Sequence, residues 1–297
     1  MAAKLDWAHV RLEEFIKRYK GKDIKNEYTF IDLNQKIWES QRERERLAAS
    51  KLESRRTFNW PAQVPTYNTD EGELSFVNCD QAIKKLLAIF SNNDRRKGGS
   101  CAMVGNSFRV GLIDEVYGVA ETTFALNFID KCSKISLDDE PMIATLADAK
   151  TLYVSLKSKD ELTTAIPKSP AYRCACANVV IGEIFRSLSK IDPITTEELL
   201  AEFEQLSRTR RTSDYLLNCV RERSENEPIF VVLDEVDRLF GEASECCGDF
   251  ITFFGKVLNP WLCEIGIYFI ILGKSHIFED LGYYRMGIEF IRLPLDV

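Results

Sequence analysis

The chain has 297 residues with a formal net charge of -7; 45% are hydrophobic and 29% charged, with only 15 Gly and 9 Pro. This composition belongs to a folded globular protein, and the length allows one large α/β domain with an appendage or two small domains. The acidic balance argues against a broad basic face for wrapping nucleic acid, leaving room for a local basic patch; the N-terminus has no apolar core of signal-peptide length, and no apolar run reaches the length of a membrane span.

In chain order, residues 1–56 read as helical. Trp7, Val10, Leu12, Phe15 and Ile16 fall near a 3.6-residue period, and Phe30, Leu33 and Ile37 follow after a turn. The charge-dense QRERERLAASKLESRR then reads as a solvated helix or linker, with a contact surface for an anionic partner as the alternative. FNWPAQVPTYNTDEGE is an irregular connector, which places a domain boundary near residue 70: a helical segment over 1–70 and an α/β domain over 71–297. Beyond it the pattern becomes strand, turn, helix. Asp80 is placed to cap a helix with Ile83, Leu86, Leu87 and Phe90 on its inner face.

Short apolar runs recur at SCAMV (100–104), LYVSL (152–156), IFVVL (229–233), IYFIIL (267–272) and IEFIRL (288–293), with NVVIGEIFRSL and TTEELLAEFEQLSRT as helices between them. Strands apolar on both faces and separated by helices predict an α/β fold with a parallel sheet sandwiched by helices. The nine cysteines form no CxxC pair and only His9 and His276 accompany them, so zinc-ligand spacing is absent. The odd cysteine count and the lack of a signal peptide predict an intracellular protein of the cytoplasm or nucleus.

IFVVLDEVDRLF carries the strongest chemical signal. A buried strand ending in Asp-Glu sets Asp234 where it holds a Mg-bound water at the sheet's carboxyl edge, with Glu235 beside it to deprotonate an attacking water. The bland reading is a strand running into an acidic helix cap. Upstream, SCAMV leads into VGNSFRVGLIDEVYG. There Gly105, Asn106 and Ser107 form a turn, Phe108, Arg109 and Val110 replace the Gly-Lys-Thr of a phosphate loop, and a helix is expected to follow with Leu112, Ile113 and Val116. Arg109 supplies charge at the lysine's place in a bulkier form, and Val110 offers the metal no oxygen. The letters GKS at 273–275 do not make a second loop, because the matching first glycine falls on Tyr268; Lys274 or Ser275 instead reads as a strand-end residue facing an outer phosphate.

Together these segments resemble the P-loop NTPases of the AAA and STAND groups. SFVNCDQAIKKLLAIF resembles the FVGRExE-type helix before the phosphate loop, VGNSFRVGLIDEVYG is similar to a degenerate Walker A, and IFVVLDEVDRLF is similar to a Walker B. YFIILGKS resembles the sensor strand, and IEFIRLPL the strand that closes the core before a helical lid. The region LGKSHIFEDLG and the long gap between the Walker-like motifs further resemble the NTPase modules of crinkler-type effectors and retrotransposon hot spot proteins. The resemblance implies ATP and Mg as cofactors, with Gly105 to Arg109 on the phosphates and Asp234 on Mg. It also implies that Glu235 polarises water and that Ser275 or Lys274 senses the γ-phosphate. The sequence ends at Val297 just after Pro294-Leu295, where a lid would begin, so the lid domain is expected to be missing, and Arg285 and Arg292 are the weak candidates for a finger. The expectation is an ATP-binding regulatory or scaffolding domain with compromised hydrolysis, served by a protein partner. The alternative is a non-nucleotide interaction module on a retired NTPase core, and a nuclease built on Asp234, Glu235 and Asp237 ranks lowest.

Overall fold

A computed structural model describes residues 55–61, 79–97, 108–113, 119–134, 140–156, 175–207, 210–240, 252–273 and 288–294. The chain divides into two units, Met1–Arg56 and Thr57–Val297, and the second holds the sheet. The helices expected over residues 1–56 lie outside the described residues, as do the boundary near residue 70 and the run at 100–104.

In chain order the described elements are α1 (Asp80–Lys97), β1 (Phe108–Ile113), α2 (Val119–Lys134), α3 (Glu140–Ala147), β2 (Lys150–Ser155), α4 (Ala175–Ile191), α5 (Pro193–Gln205), α6 (Ser213–Glu222) and β3 (Ile229–Asp234). A 3-10 turn (Val236–Leu239), a π segment (Phe254–Leu258), α7 (Asn259–Cys263), β4 (Ile267–Leu272) and β5 (Ile288–Arg292) complete them. The five strands form one sheet in the order β2-β3-β4-β1-β5, and every pairing is parallel. The expected α/β parallel sheet is therefore present.

Both faces of the sheet are covered, which is why β3 and β4 read as unbroken apolar runs. One face packs Phe230, Val232, Tyr268, Ile270 and Leu272 against α1, α2 and α3 through Ile83, Leu86, Phe90, Phe124, Phe128 and Leu146. Rings dominate this layer: Phe128 lies 5.1 Å from Phe230, and Phe90 lies 5.1 Å from Tyr268. Each buried phenylalanine removes apolar area worth roughly 2–3 kcal/mol. The other face packs Leu152, Val154, Val231, Leu233, Phe269 and Ile271 against α4, α5, α6, the π segment and α7. Trp261 of α7 is fully buried there, edge-on to Phe269, with its indole N–H donating to Ser213 Oγ at 3.0 Å. The π turn directly precedes Pro260, whose missing N–H removes the normal bond to the carbonyl four residues back.

One expected element moves. FRVGLI is strand β1 and not a phosphate loop opening into a helix, so Leu112 and Ile113 are strand residues. Phe108, Val110 and Leu112 enter one core and Ile113 the other, the period-2 alternation of a strand buried on both faces. Gly111 belongs to that strand for a packing reason: a Cβ there would lie 2.7 Å from Leu86 Cδ1, so the missing side chain lets α1 settle onto the sheet. Asn93 of α1 fixes the strand's start, accepting from Arg109 N–H at 3.0 Å and donating to its carbonyl at 2.7 Å.

The connector is irregular in its described residues, as expected, and they pack on the α/β unit. Phe58 is buried in the α6 side of the core, with its N–H donating to the Arg223 carbonyl at 2.9 Å. Trp60 Nε1 donates to Ser224 Oγ at 2.8 Å, and Asn59 N–H to Asp192 Oδ2 at 3.2 Å. Residues 57–61 thus strap onto the α/β unit.

Candidate functional site

Chain direction selects the site. From β1 the chain crosses by α2 and α3 on one face of the sheet, whereas β3 leads into the π segment and α7 on the other. The carboxyl ends of β1 and β3 therefore flank a crevice above β4, the topological switch point where parallel sheets place ligands. Gly273, just past β4, donates its N–H to the Ile113 carbonyl at 3.1 Å. Its φ of +152° suits glycine, and a Cβ would sit 3.1 Å from Asp237 Oδ1 and 3.4 Å from Val236 N, so the chain passes hard against the 3-10 turn.

Asp234 ends β3 at this edge, as the sequence predicts. Its carboxylate accepts three hydrogen bonds. Oδ2 accepts from Thr122 Oγ1 at 3.0 Å and from Tyr153 OH at 2.5 Å, and Oδ1 accepts from Glu235 N–H at 2.8 Å. Thr122 comes from the first turn of α2, and Tyr153 from β2, the strand beside β3. Burial, then the bond to Asp234 and the charges of Asp234 and Glu235, push the Tyr153 phenol far above its ordinary value, so it remains a proton donor.

Glu235 is held as tightly. It adopts the left-handed conformation at φ 59°, ψ 36°, uncommon for a residue with a Cβ. Its Oε2 accepts from Ser155 Oγ at 2.8 Å, and its Oε1 pairs with Arg238 in the 3-10 turn. Each Glu235 carboxylate oxygen has a partner in this chain, and a carboxylate's four acceptor positions leave lone pairs beyond those two contacts.

Of the other predicted site residues, Phe108, Arg109 and Val110 do not join this pair. Phe108, Arg109 and Val110 lie in β1 instead of a loop, with Phe108 and Val110 buried in the core. Arg109 sits four residues before the strand's carboxyl end, about 13 Å back at the rise of a strand. It pairs with Glu289 of β5 at 2.9 Å, a half-exposed ion pair. Arg292, the weak finger candidate, lies in β5. Gly105, Asn106, Ser107, Lys274, Ser275 and Arg285 lie outside the described residues.

Sequence reading missed Thr122, Tyr153 and Ser155. Thr122 was hidden by the misplaced strand: once β1 ends at Ile113, the helix hydroxyl reaching Asp234 belongs to GVAETT. Set in the frame GxxxxGK[ST] with Thr122 as the final hydroxyl, the lysine position is Glu121 and the glycine positions are Ala120 and Glu115. Tyr153 and Ser155 are every-other residues of LYVS pointing to the crevice side of the strand end.

From Asp114 to Asp130 the chain carries no lysine or arginine, and the segment joining β1 to α2 begins Asp-Glu. Like charges there oppose the phosphates. The Asp234 oxygens that would bind a metal-bound water already accept three hydrogen bonds, and among the described residues no three His, Cys, Asp or Glu side chains gather to hold a metal ion. No helix among the described residues is long and apolar enough to cross a membrane. No protein-family model matches the sequence, and neither does any curated protein with which it was compared.

Proposed function

We propose that this protein is a scaffolding or interaction module built on a P-loop NTPase-like α/β domain, acting through a protein partner and without ATP turnover. The Thr122–Asp234 contact carries the reading. A helix hydroxyl and a strand-end aspartate are the pair that grips Mg in a working P-loop enzyme, and here they grip each other. That register also puts Glu121 where the phosphate-binding lysine belongs, so the charge at the heart of the loop is reversed. A fold of this kind is a support for many functions, so the domain's role lies in the surfaces it presents.

The ATP-binding regulatory reading keeps one observation in its favour: the hydroxyl and the carboxylate still meet at the switch point. Thr122 keeps its hydroxyl lone pairs while donating to Asp234, and Asp234 Oδ1 accepts the Glu235 N–H alone among the described residues, so both groups retain acceptor positions for a metal and its water. Calorimetric titration with ATP and Mg, run on the wild type and on Asp234→Ala, separates the two. Under the scaffold reading neither protein gives saturable heat at millimolar ATP; saturable binding to the wild type that Asp234→Ala abolishes would establish the regulatory one.

A further inference from the structure

We infer that the hydrogen bonds in this crevice replace a bound ligand as the internal cross-link of the sheet's carboxyl edge. The inference rests on the nucleotide-independent reading and adds what holds the site in its place. In a ligand-dependent crevice, the elements leaving the switch point are drawn together by what binds between them. Here three elements that the chain separates widely converge on two carboxylates. Thr122 of α2 and Tyr153 of β2 donate to the same oxygen of Asp234, and Ser155 of β2 donates to Glu235. β4 lies between β3 and β1, and α2 carries the chain from β1 across to pack on β3 through Phe128 and Phe230, where Thr122 adds a polar tie.

The geometry of Glu235 belongs to the same device. With ordinary backbone angles after β3 its side chain would leave along a different direction; the left-handed turn at 235 lets its N–H close onto Asp234 Oδ1 while its carboxylate meets Ser155 and Arg238. Such a conformation persists only where the surroundings determine it. Among the described strands β2 is also the last of the sheet on its side, paired with β3. Its carboxyl end gains two side-chain ties to β3, through Tyr153 and Ser155, beyond the backbone ladder.

The test is thermal melting of the wild type and of Thr122→Val with Tyr153→Phe, each with and without millimolar ATP and Mg. Two hydrogen bonds to a charged acceptor are removed, so the double variant is expected to melt about 5–10 °C lower, with no recovery on adding ATP and Mg. Thr122→Ser, which keeps the donor, is expected to melt with the wild type. An unchanged midpoint in the double variant would overturn the cross-link while leaving the nucleotide-independent reading intact. A wild-type midpoint raised by ATP and Mg would instead overturn that underlying reading. Should the double variant not fold, Tyr153→Phe alone must lower the midpoint by about half as much, and an unmoved midpoint again overturns the inference.

Discussion

At the scale of single residues, Gly111 and Asp234 show how one position is fixed by its neighbours. The 2.7 Å approach of Leu86 to a Cβ at residue 111 leaves no ordinary contact distance, and both groups sit in a packed core. Gly111→Ala is therefore expected to destabilise the fold by about 1–3 kcal/mol through overpacking. Urea denaturation measures this, and adding Leu86→Ala should recover part of the loss if the clash is its cause. For Asp234, Asn is the informative replacement because it keeps the volume while removing the charge that Thr122 and Tyr153 satisfy. Asp234→Asn is expected to cost about 1–3 kcal/mol in the same measurement.

These residues also mark how far the site was legible in sequence. Asp234 at the end of IFVVL needed only strand pattern and a polar break, and the structure sets it at the carboxyl edge. Thr122 needed the strand before it in register, and GNSFRVG imitates a worn phosphate loop too well for local pattern to resolve. The glycine in that imitation is there for Leu86, a contact between elements that no spacing rule displays.

At the scale of elements, α5 and the connector strap share a residue. Asp192 caps α5, accepting from Thr195 N–H at 3.0 Å and Thr195 Oγ1 at 2.9 Å, and also receives Asn59 N–H. Burial by itself would raise the pKa of Asp192, but the donors from Thr195, Asn59 and Ile194 outweigh it and hold the carboxyl below its ordinary 3.8. A depressed carboxylate contributes stability above its unfolded pKa and loses it as pH falls through the lower folded value. Amide exchange in the first turn of α5 should thus quicken below about pH 4 in the wild type. In Asp192→Asn that step should disappear, and Asp192→Ala is expected to cost about 1 kcal/mol at neutral pH.

The strap makes a prediction of its own. A chain beginning at Thr57 keeps Phe58 in the core and Trp60 on Ser224, whereas one beginning at residue 71 loses both. The shorter chain is expected to be less stable by about 2–4 kcal/mol, the cost of a vacated aromatic site, read as a shift of the denaturation midpoint. Prolines and turn formers made FNWPAQV read as an irregular connector, and the burial of Phe58 was not legible there because it depends on α6, which is remote in sequence. The strands at 152–156, 229–233, 267–272 and 288–293 were legible because burial on both faces leaves a continuous apolar run in the sequence itself.

At the scale of the whole molecule, the strand order β2-β3-β4-β1-β5 and the exits of β1 and β3 to opposite faces create a crevice whatever fills it. In this chain Thr122, Tyr153 and Ser155 donate to Asp234 and Glu235 at the carboxyl edge of the sheet. At that edge Thr122 of α2 and Asp234 of β3 satisfy each other. A double-mutant cycle of Thr122→Val and Asp234→Asn by equilibrium denaturation tests it most directly. The account predicts a coupling of about 1–2 kcal/mol; single effects that add within about 0.5 kcal/mol would contradict it.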